Sequence, residues 1–243
     1  MFIREMTTTY GRSTGGYLWA IVEPIAGILL LTLLFSLVMR SPSIGTSFPL
    51  FYASGYLPFS AFMDVSQKVS TSVRFSKQLL NYPGVTFMDA VLARFLLNAL
   101  TQAVVFVIVL GGIILLYDLD VILDYKSIAL GFLMAMWLAM GIGVLNCYLL
   151  SIYPVWERTW SVLTRPLFLI SGVIFIFDDI PQPYQDWLWW NPLIHVVGMV
   201  RNGVYSSYDA SYVSMTYVVA VGGVCMMAGL LLLRRYYRDI LLL

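Results

Sequence analysis

Residues Ala90 to Tyr117 read AVLARFLLNALTQAVVFVIVLGGIILLY, and Arg94 is the only charged side chain in the run. About 20 apolar residues rising 1.5 Å each cross the hydrocarbon core of a bilayer. This run is long enough, and it lacks the alternation of a half-buried strand. Arg94 stands about one turn in, where its aliphatic stem can carry the charge to the interface. Reading outward from this run gives five further candidate spans, near Leu18–Met39, Phe48–Val65, Ile128–Ile152, Val162–Phe177 and Val213–Leu233. Val162–Phe177, the fifth of the six in chain order, is short, begins beside Arg165-Pro166, and continues into a segment expected to dip into the membrane without crossing it.

Composition agrees with a membrane solvent. Of the 243 residues, 60% are hydrophobic and 11% charged, whereas soluble domains carry about 25% charged residues. The N-terminus does not read as a cleaved signal peptide, because Arg4 and Arg12 are spread through a polar stretch with no evident small-residue cleavage site. With the N-terminus inside, the inner segments hold Arg4, Arg12, Lys68, Arg74, Lys77, Arg94, Arg158, Arg165, Arg234, Arg235 and Arg238. The outer ones hold only Arg40, Lys126 and Arg201. This bias predicts both termini on the cytoplasmic side.

Three segments between spans are more than plain connectors. Residues 1–16 pattern as a short amphipathic interface helix, with Ile3, Met6 and Tyr10 on one face and Arg4 and Arg12 on another. From Val65 into residues 66–89, Val65, Val69, Val73 and Leu80 recur at near-helical spacing beside Lys68, Arg74 and Lys77, and Asn81-Tyr82-Pro83-Gly84 is expected to end that helix with a turn. The segment reads either as a solvated basic loop or as a cytoplasmic helix that docks on a partner. Residues 178–209 hold Trp187, Trp189, Trp190, Pro181, Pro183, Pro192, His195 and Arg201. Interfacial tryptophans explain part of this cluster. The prolines and the apolar stretch Leu193–Val200 predict short helices re-entering the outer leaflet, which requires burial in protein or a water-filled cavity.

No phosphate-binding loop, H-E-x-x-H or G-x-S-x-G motif occurs. Hence no catalytic residues are assigned. No metal site is assigned either: His195 is the single histidine, and Cys147 and Cys225 sit in different apolar runs as packing residues. Asp64 and Asp89 lie near span ends, and no chain of buried carboxylates of the kind used in proton coupling is found. Energy for any transport is therefore expected from another subunit. The glycines at 111, 112, 131, 141, 143, 222, 223 and 229 permit close helix approach without saying which helices approach.

Arg4 to Pro24 reads REMTTTYGRSTGGYLWAIVEP. It resembles the opening of the capsule-polysaccharide branch of ABC export permeases, an R-E-x-x-x-x-[YF]-G run before G-Y-L-W-A-[IL]-x-E-P. FPLFYASGYLPF (Phe48 to Phe59), LLNYPGV (Leu79 to Val85) and WNPLIHVVGMVRNGV (Trp190 to Val204) are similar to further stretches of that family, in the same order. Gly198 departs from the glutamate of many relatives, so no carboxylate role is carried to it. The resemblance implies an all-α polytopic membrane protein of the type-2 ABC exporter fold, with six transmembrane helices, an N-terminal interface helix and re-entrant outer helices before the last span. It implies a homodimer with two copies of a separate ABC ATPase that holds the ATP and Mg, none being bound by this chain. The implied cargo is a lipid-linked polysaccharide, passed in Gram-negative cells to periplasmic and outer-membrane export proteins.

The residues expected to contact the ATPase are Arg74, Phe75, Lys77, Leu80 and Tyr82. Aromatic faces stack on sugar C–H surfaces, which makes Tyr17, Trp19, Tyr56, Trp156, Trp160, Trp187 and Trp190 the candidates for the path. Arg4 and Arg12 are candidates for the phosphate of a lipid carrier. Competing readings are an ABC permease for O-antigen, teichoic acid or a smaller cargo, a membrane-embedded enzyme of lipid-linked glycan metabolism, and a scaffold or secondary transporter.

Overall fold

The computed structural model describes residues 16–80 and 84–242. The expected interface helix at residues 1–16 therefore falls almost wholly outside the described residues, as do Arg4, Arg12 and Tyr82. All regular elements among the described residues are helical: α1 Gly16–Val38, α2 Phe48–Ser70, α3 Ser72–Leu80, α4 Phe87–Leu116, α5 Tyr125–Ile152, α6 Pro154–Ile170, a 3-10 turn Phe177–Asp179, α7 Tyr184–Trp189, α8 Pro192–Val204 and α9 Met215–Leu242. Four helices are long and apolar enough to cross a membrane, over Leu18–Val38, Phe87–Leu116, Tyr125–Ile152 and Met215–Tyr237. The stretch that opened the sequence reading is the core of α4. Helix α2 has 23 residues, a sufficient length, but its glycine, serines, prolines, Asp64 and Lys68 dilute its apolar character. Helix α6 has 17 residues and carries Glu157, Arg158 and Arg165.

The expected fifth run, Val162–Phe177, is divided differently by the chain. Helix α6 starts earlier, because Pro154 at its first position has no N–H to continue the α5 ladder. It ends at Ile170, ahead of Gly172, which adopts φ +74. Side-chain caps fix other boundaries. Thr86 and Asp89 form a capping box at the start of α4, with Thr86 N–H donating to Asp89 Oδ2 at 2.8 Å and Asp89 N–H to Thr86 Oγ1 at 3.3 Å. Asp124 caps α5 by accepting from Lys126 N–H at 3.0 Å. The Ser127 hydroxyl, 2.6 Å away, leads in holding its carboxyl below the usual range. Asn191 caps α8 and donates back to Ile170 O at 3.0 Å, tying α8 to the end of α6.

Helix α5 is the centre of the bundle, packed on α2, α8 and α9. In its most apolar stretch 56% of residues are buried, against 17% in α1, so α1 turns most of its apolar surface outward. Glycines set the close seams. A Cβ added at Gly229 of α9 would lie 2.6 Å from Leu145 N of α5, and one at Gly143 of α5 would lie 2.8 Å from Val69 Cβ of α2. A Cβ at Gly131 would lie 2.6 Å from Val200 Cγ2 of α8. Trp137 spans the α5–α9 seam, donating from Nε1 to Val219 O at 3.0 Å. By contrast, Gly111 and Gly112 of α4 meet nothing within 4 Å.

Gly229→Ala should therefore cost about 1–3 kcal/mol through overpacking, seen as a lower midpoint of thermal unfolding in detergent. Gly112→Ala should leave that midpoint unchanged or slightly raised, since it meets open space and removes a helix-interior glycine.

Candidate functional site

Two regions gather the polar and aromatic chemistry. The first is α3 and its surroundings. Helix α2 does not stop at the expected Val65 but runs to Ser70, breaks at Thr71, and passes directly into α3. Val73, Ser76 and Leu80 repeat at helical spacing and are 1%, 4% and 5% exposed, so this face of α3 is packed inward. Ser72 lies 3.5 Å from the Cys147 sulfur of α5. Arg74 and Phe75 are on the exposed side and Lys77 is half-buried. Of the expected partner contacts, Leu80 thus belongs to the core, while Arg74, Phe75 and Lys77 share the accessible side.

Charged residues brace α3 from both flanks. Arg94 is buried rather than extended to an interface: its guanidinium donates to Thr71 Oγ1 at 2.8 Å and Lys68 O at 3.2 Å, and lies 4.0 Å from the Phe75 ring centre. On the other flank Arg74 donates to Leu150 O, near the C-terminus of α5, and to Glu157 Oε2 of α6 at 3.1 Å. A cleft of about 410 Å³ opens beside this point, lined by Val73, Arg74, Lys77, Ser151, Ile152, Pro154 and Ile240.

The second region is the aromatic cluster around α7 and α8, within the segment expected on the outer side. Trp189, Trp190, His195, Tyr212 and Tyr217 pack ring against ring, with centroids of Trp189 and His195 5.1 Å apart and of Trp189 and Tyr217 5.0 Å apart. His195 is fully buried. Its Nδ1 accepts from Ser214 N–H at 3.3 Å, so Nε2 carries the proton and donates to Trp189 O at 2.9 Å. The ring is neutral in this arrangement. Trp189 Nε1 donates to Tyr212 O at 3.1 Å and the Tyr217 hydroxyl to Trp190 O at 2.6 Å. These bonds staple α7 and α8 to the start of α9. Below them Arg201, 2% exposed, donates to Phe175 O at 2.6 Å and Val173 O at 2.8 Å and lies 4.3 Å from the Phe51 ring centre. It holds the loop after α6 against α2 and α8. At the rim, burial pushes the Asp178 carboxyl up.

The expected path aromatics do not form one set within a single chain. Trp156 and Trp160 stack along α6 at 6.3 Å, and Trp156 Nε1 donates to Asn146 Oδ1 of α5 at 2.9 Å. Tyr56 of α2 packs edge-on to Phe168 of α6 at 6.3 Å. Trp19 is 63% exposed on α1, and Trp187 and Trp190 are 80% and 67% exposed on and beside α7. The Tyr17 side chain lies outside the described residues. Sequence reasoning did not single out Glu157, Tyr212 or Tyr217, noted Trp189 only as one of the interfacial tryptophans, and assigned no brace role to Arg94 or Arg201. An arginine inside an apolar run was the available signal, since such a charge requires partners. At Gly198 a Cβ would lie 2.9 Å from Tyr212 Cζ, so this chain has no room for a longer side chain there.

A bundle of long apolar helices with a short amphipathic helix packed at one end suits the membrane subunit of a transporter, and the sequence comparisons supply the family. Residues 1–205 match the family model described as ABC-2 type transporter, and the chain belongs to that family. It is 31% identical to the polysialic acid transport protein KpsM of Escherichia coli, over 96% of this chain and 91% of that protein. It is 24% identical to the capsule polysaccharide export inner-membrane proteins CtrC of Neisseria meningitidis serogroup A and BexB of Haemophilus influenzae, over 99% of this chain and 91% of each.

Arg201→Met keeps the aliphatic stem but leaves Val173 O and Phe175 O without a donor. Hydrogen bonds to a charged group contribute about 1.5–3 kcal/mol each. The variant should lose about 3 kcal/mol or more, read as a sharp fall in folded protein extracted from membranes, with Arg201→Lys intermediate.

Proposed function

We propose that this chain is the membrane-spanning subunit of an ATP-driven exporter that moves lipid-linked capsular polysaccharide outward across the inner membrane. The observation that carries the reading is the end-to-end similarity to capsule polysaccharide export inner-membrane proteins from separate organisms. The chain is a single transmembrane domain and works as a homodimer with two copies of a separate ATPase, which binds the ATP and Mg. Helices α1, α2, α4, α5, α6 and α9 are the six spans. Residues 178–209, with α7 and α8, re-enter the outer leaflet, and both termini are cytoplasmic. The outward apolar face of α1 and the absence of buried residues on α6 leave surface for the second copy.

Within this reading residues 66–89 are the coupling segment. Phe75 and Lys77 present its accessible side to the ATPase together with Tyr82, while Arg74, expected among these contacts, is engaged with Leu150 O and Glu157. Trp19, Tyr56, Trp156, Trp160, Trp187 and Trp190, together with Tyr17, line the path once two copies face each other. Each offers an apolar ring face and a polar edge suited to sugars. Arg4 and Arg12 meet the carrier phosphate, and the polymer passes to periplasmic and outer-membrane export proteins.

Lys77→Glu should lower recovery of the ATPase with the purified permease by about tenfold, roughly 1.4 kcal/mol of binding, and surface polysaccharide should fall with it. Trp190→Ala should reduce surface polysaccharide without changing the amount of inserted protein or bound ATPase. If a deletion strain keeps a normal capsule, the chain has another cargo.

A further inference from the structure

The junction between α5 and α6 is a one-residue elbow. Tyr153 is both the C-cap of α5 and the N-cap of α6, with extended backbone (φ −113, ψ 97), and Pro154 interrupts the hydrogen-bond ladder. The two sides of this elbow are held very differently. Helix α5 is the most buried of the apolar helices, whereas no residue of α6 is buried. Beyond its covalent link, α6 is attached by a few side chains: Trp156 to Asn146, Phe168 against Tyr56 and Phe59, and Asn191 to its last turn. Such a helix can swing about the elbow while α5 stays fixed.

One group from outside the elbow reaches both of its arms. The Arg74 guanidinium donates to Leu150 O and to Glu157 Oε2. Leu150 O lies in the last turn of α5, where carbonyls lack intrahelical partners and the helix end is partly negative. Glu157 lies in the first turn of α6, where a carboxylate is favoured. The elbow therefore presents two negative poles, and the Arg74 guanidinium of α3 sits between them. An ion pair with side chains 41% and 64% exposed adds little to overall stability. It does link α3 directly to the least tethered long helix of the bundle.

We infer that Arg74 is a positioning residue: it acts as a strut that carries movement of α3 through Glu157 into α6, and with it the Trp156–Trp160 pair. The inference rests on the exporter reading and assigns Arg74 to transmission within the chain rather than to the grip on the ATPase. Arg94 braces α3 on the opposite flank, against α2 and α4, so displacement of α3 is directed toward the elbow.

The test uses the whole complex, permease with its ATPase, with R74E, E157R and the R74E/E157R exchange compared per amount of inserted permease. Coupled charge pairs show interaction energies that correspond to about twofold to a hundredfold effects. Each single variant should keep its ATPase bound and hydrolysing while export falls about fivefold or more. The exchange should recover a large part of that loss, short of wild type because a glutamate at position 74 cannot donate to Leu150 O. Loss of the ATPase from R74E would place Arg74 in the docking contact and overturn the inference. Full export by both single variants, or an exchange no better than either, would overturn it too. Should the charge variants insert poorly, R74C/E157C joined by a bismaleimide supplies a covalent strut: tethering should raise export above the untethered pair, and no gain overturns the proposal. Failure of the wild-type complex to export glycan or retain an ATPase would instead remove the exporter reading.

Discussion

Helix α5 can occupy the middle of this bundle only because small residues let its neighbours come close. Lipid tails are as apolar as leucine, so burial of apolar surface does not by itself drive helices together in a bilayer. Packing and hydrogen bonds must do so. Along α5 the seams are explicit: Gly131 against Val200 of α8, Gly143 against Val69 of α2, and Leu145 against Gly229 of α9. With α5 fixed on three sides, α2 can be buried despite its serines, prolines and Asp64, and α8 can lie across one end. Helices α1 and α6 lie outside this arrangement with open faces, and α4 and α9 each keep an exposed apolar side as well.

Polar groups then define the connections that packing leaves free. Arg201, Arg94 and His195 are each buried, and each uses its donors or acceptors on backbone or hydroxyl groups of other segments. Arg201 fixes the loop after α6, His195 joins α7 to the approach of α9, and Arg94 holds the break between α2 and α3. A buried polar group finds its partners or is costly, so these three fix positions rather than merely adding attraction. The end of the bundle at α7 and α8 is thereby tied together by hydrogen bonds. The opposite end rests on α3, a short helix with one inward face and one accessible face.

The functional reading joins these two ends. An accessible α3 beneath a tightly packed core suits an input from a cytoplasmic partner, and a weakly held α6 suits the element that responds. Among the described residues, Asp89 and Asp124 serve as caps and Arg74, Arg94 and Arg201 as braces.

The long apolar helices were legible in the sequence because length and hydropathy are properties of a run: 90–117 became α4 with its ends moved by a few residues. The turn expected at Asn81-Tyr82-Pro83-Gly84 lies almost wholly outside the described residues. The bounds of α2 and α6 were less legible, because Asp64, Lys68, Glu157 and Arg165 interrupt their apolar runs. Tertiary structure alone decided that Leu80 faces inward and Arg74 outward, that Arg94 turns into the protein, and that Gly143 and Gly229 close seams while Gly112 does not. It alone brought Arg74 to Glu157, 83 residues away. Periodicity and composition report what each residue prefers as solvent, and which residues meet across helices depends on how those helices pack.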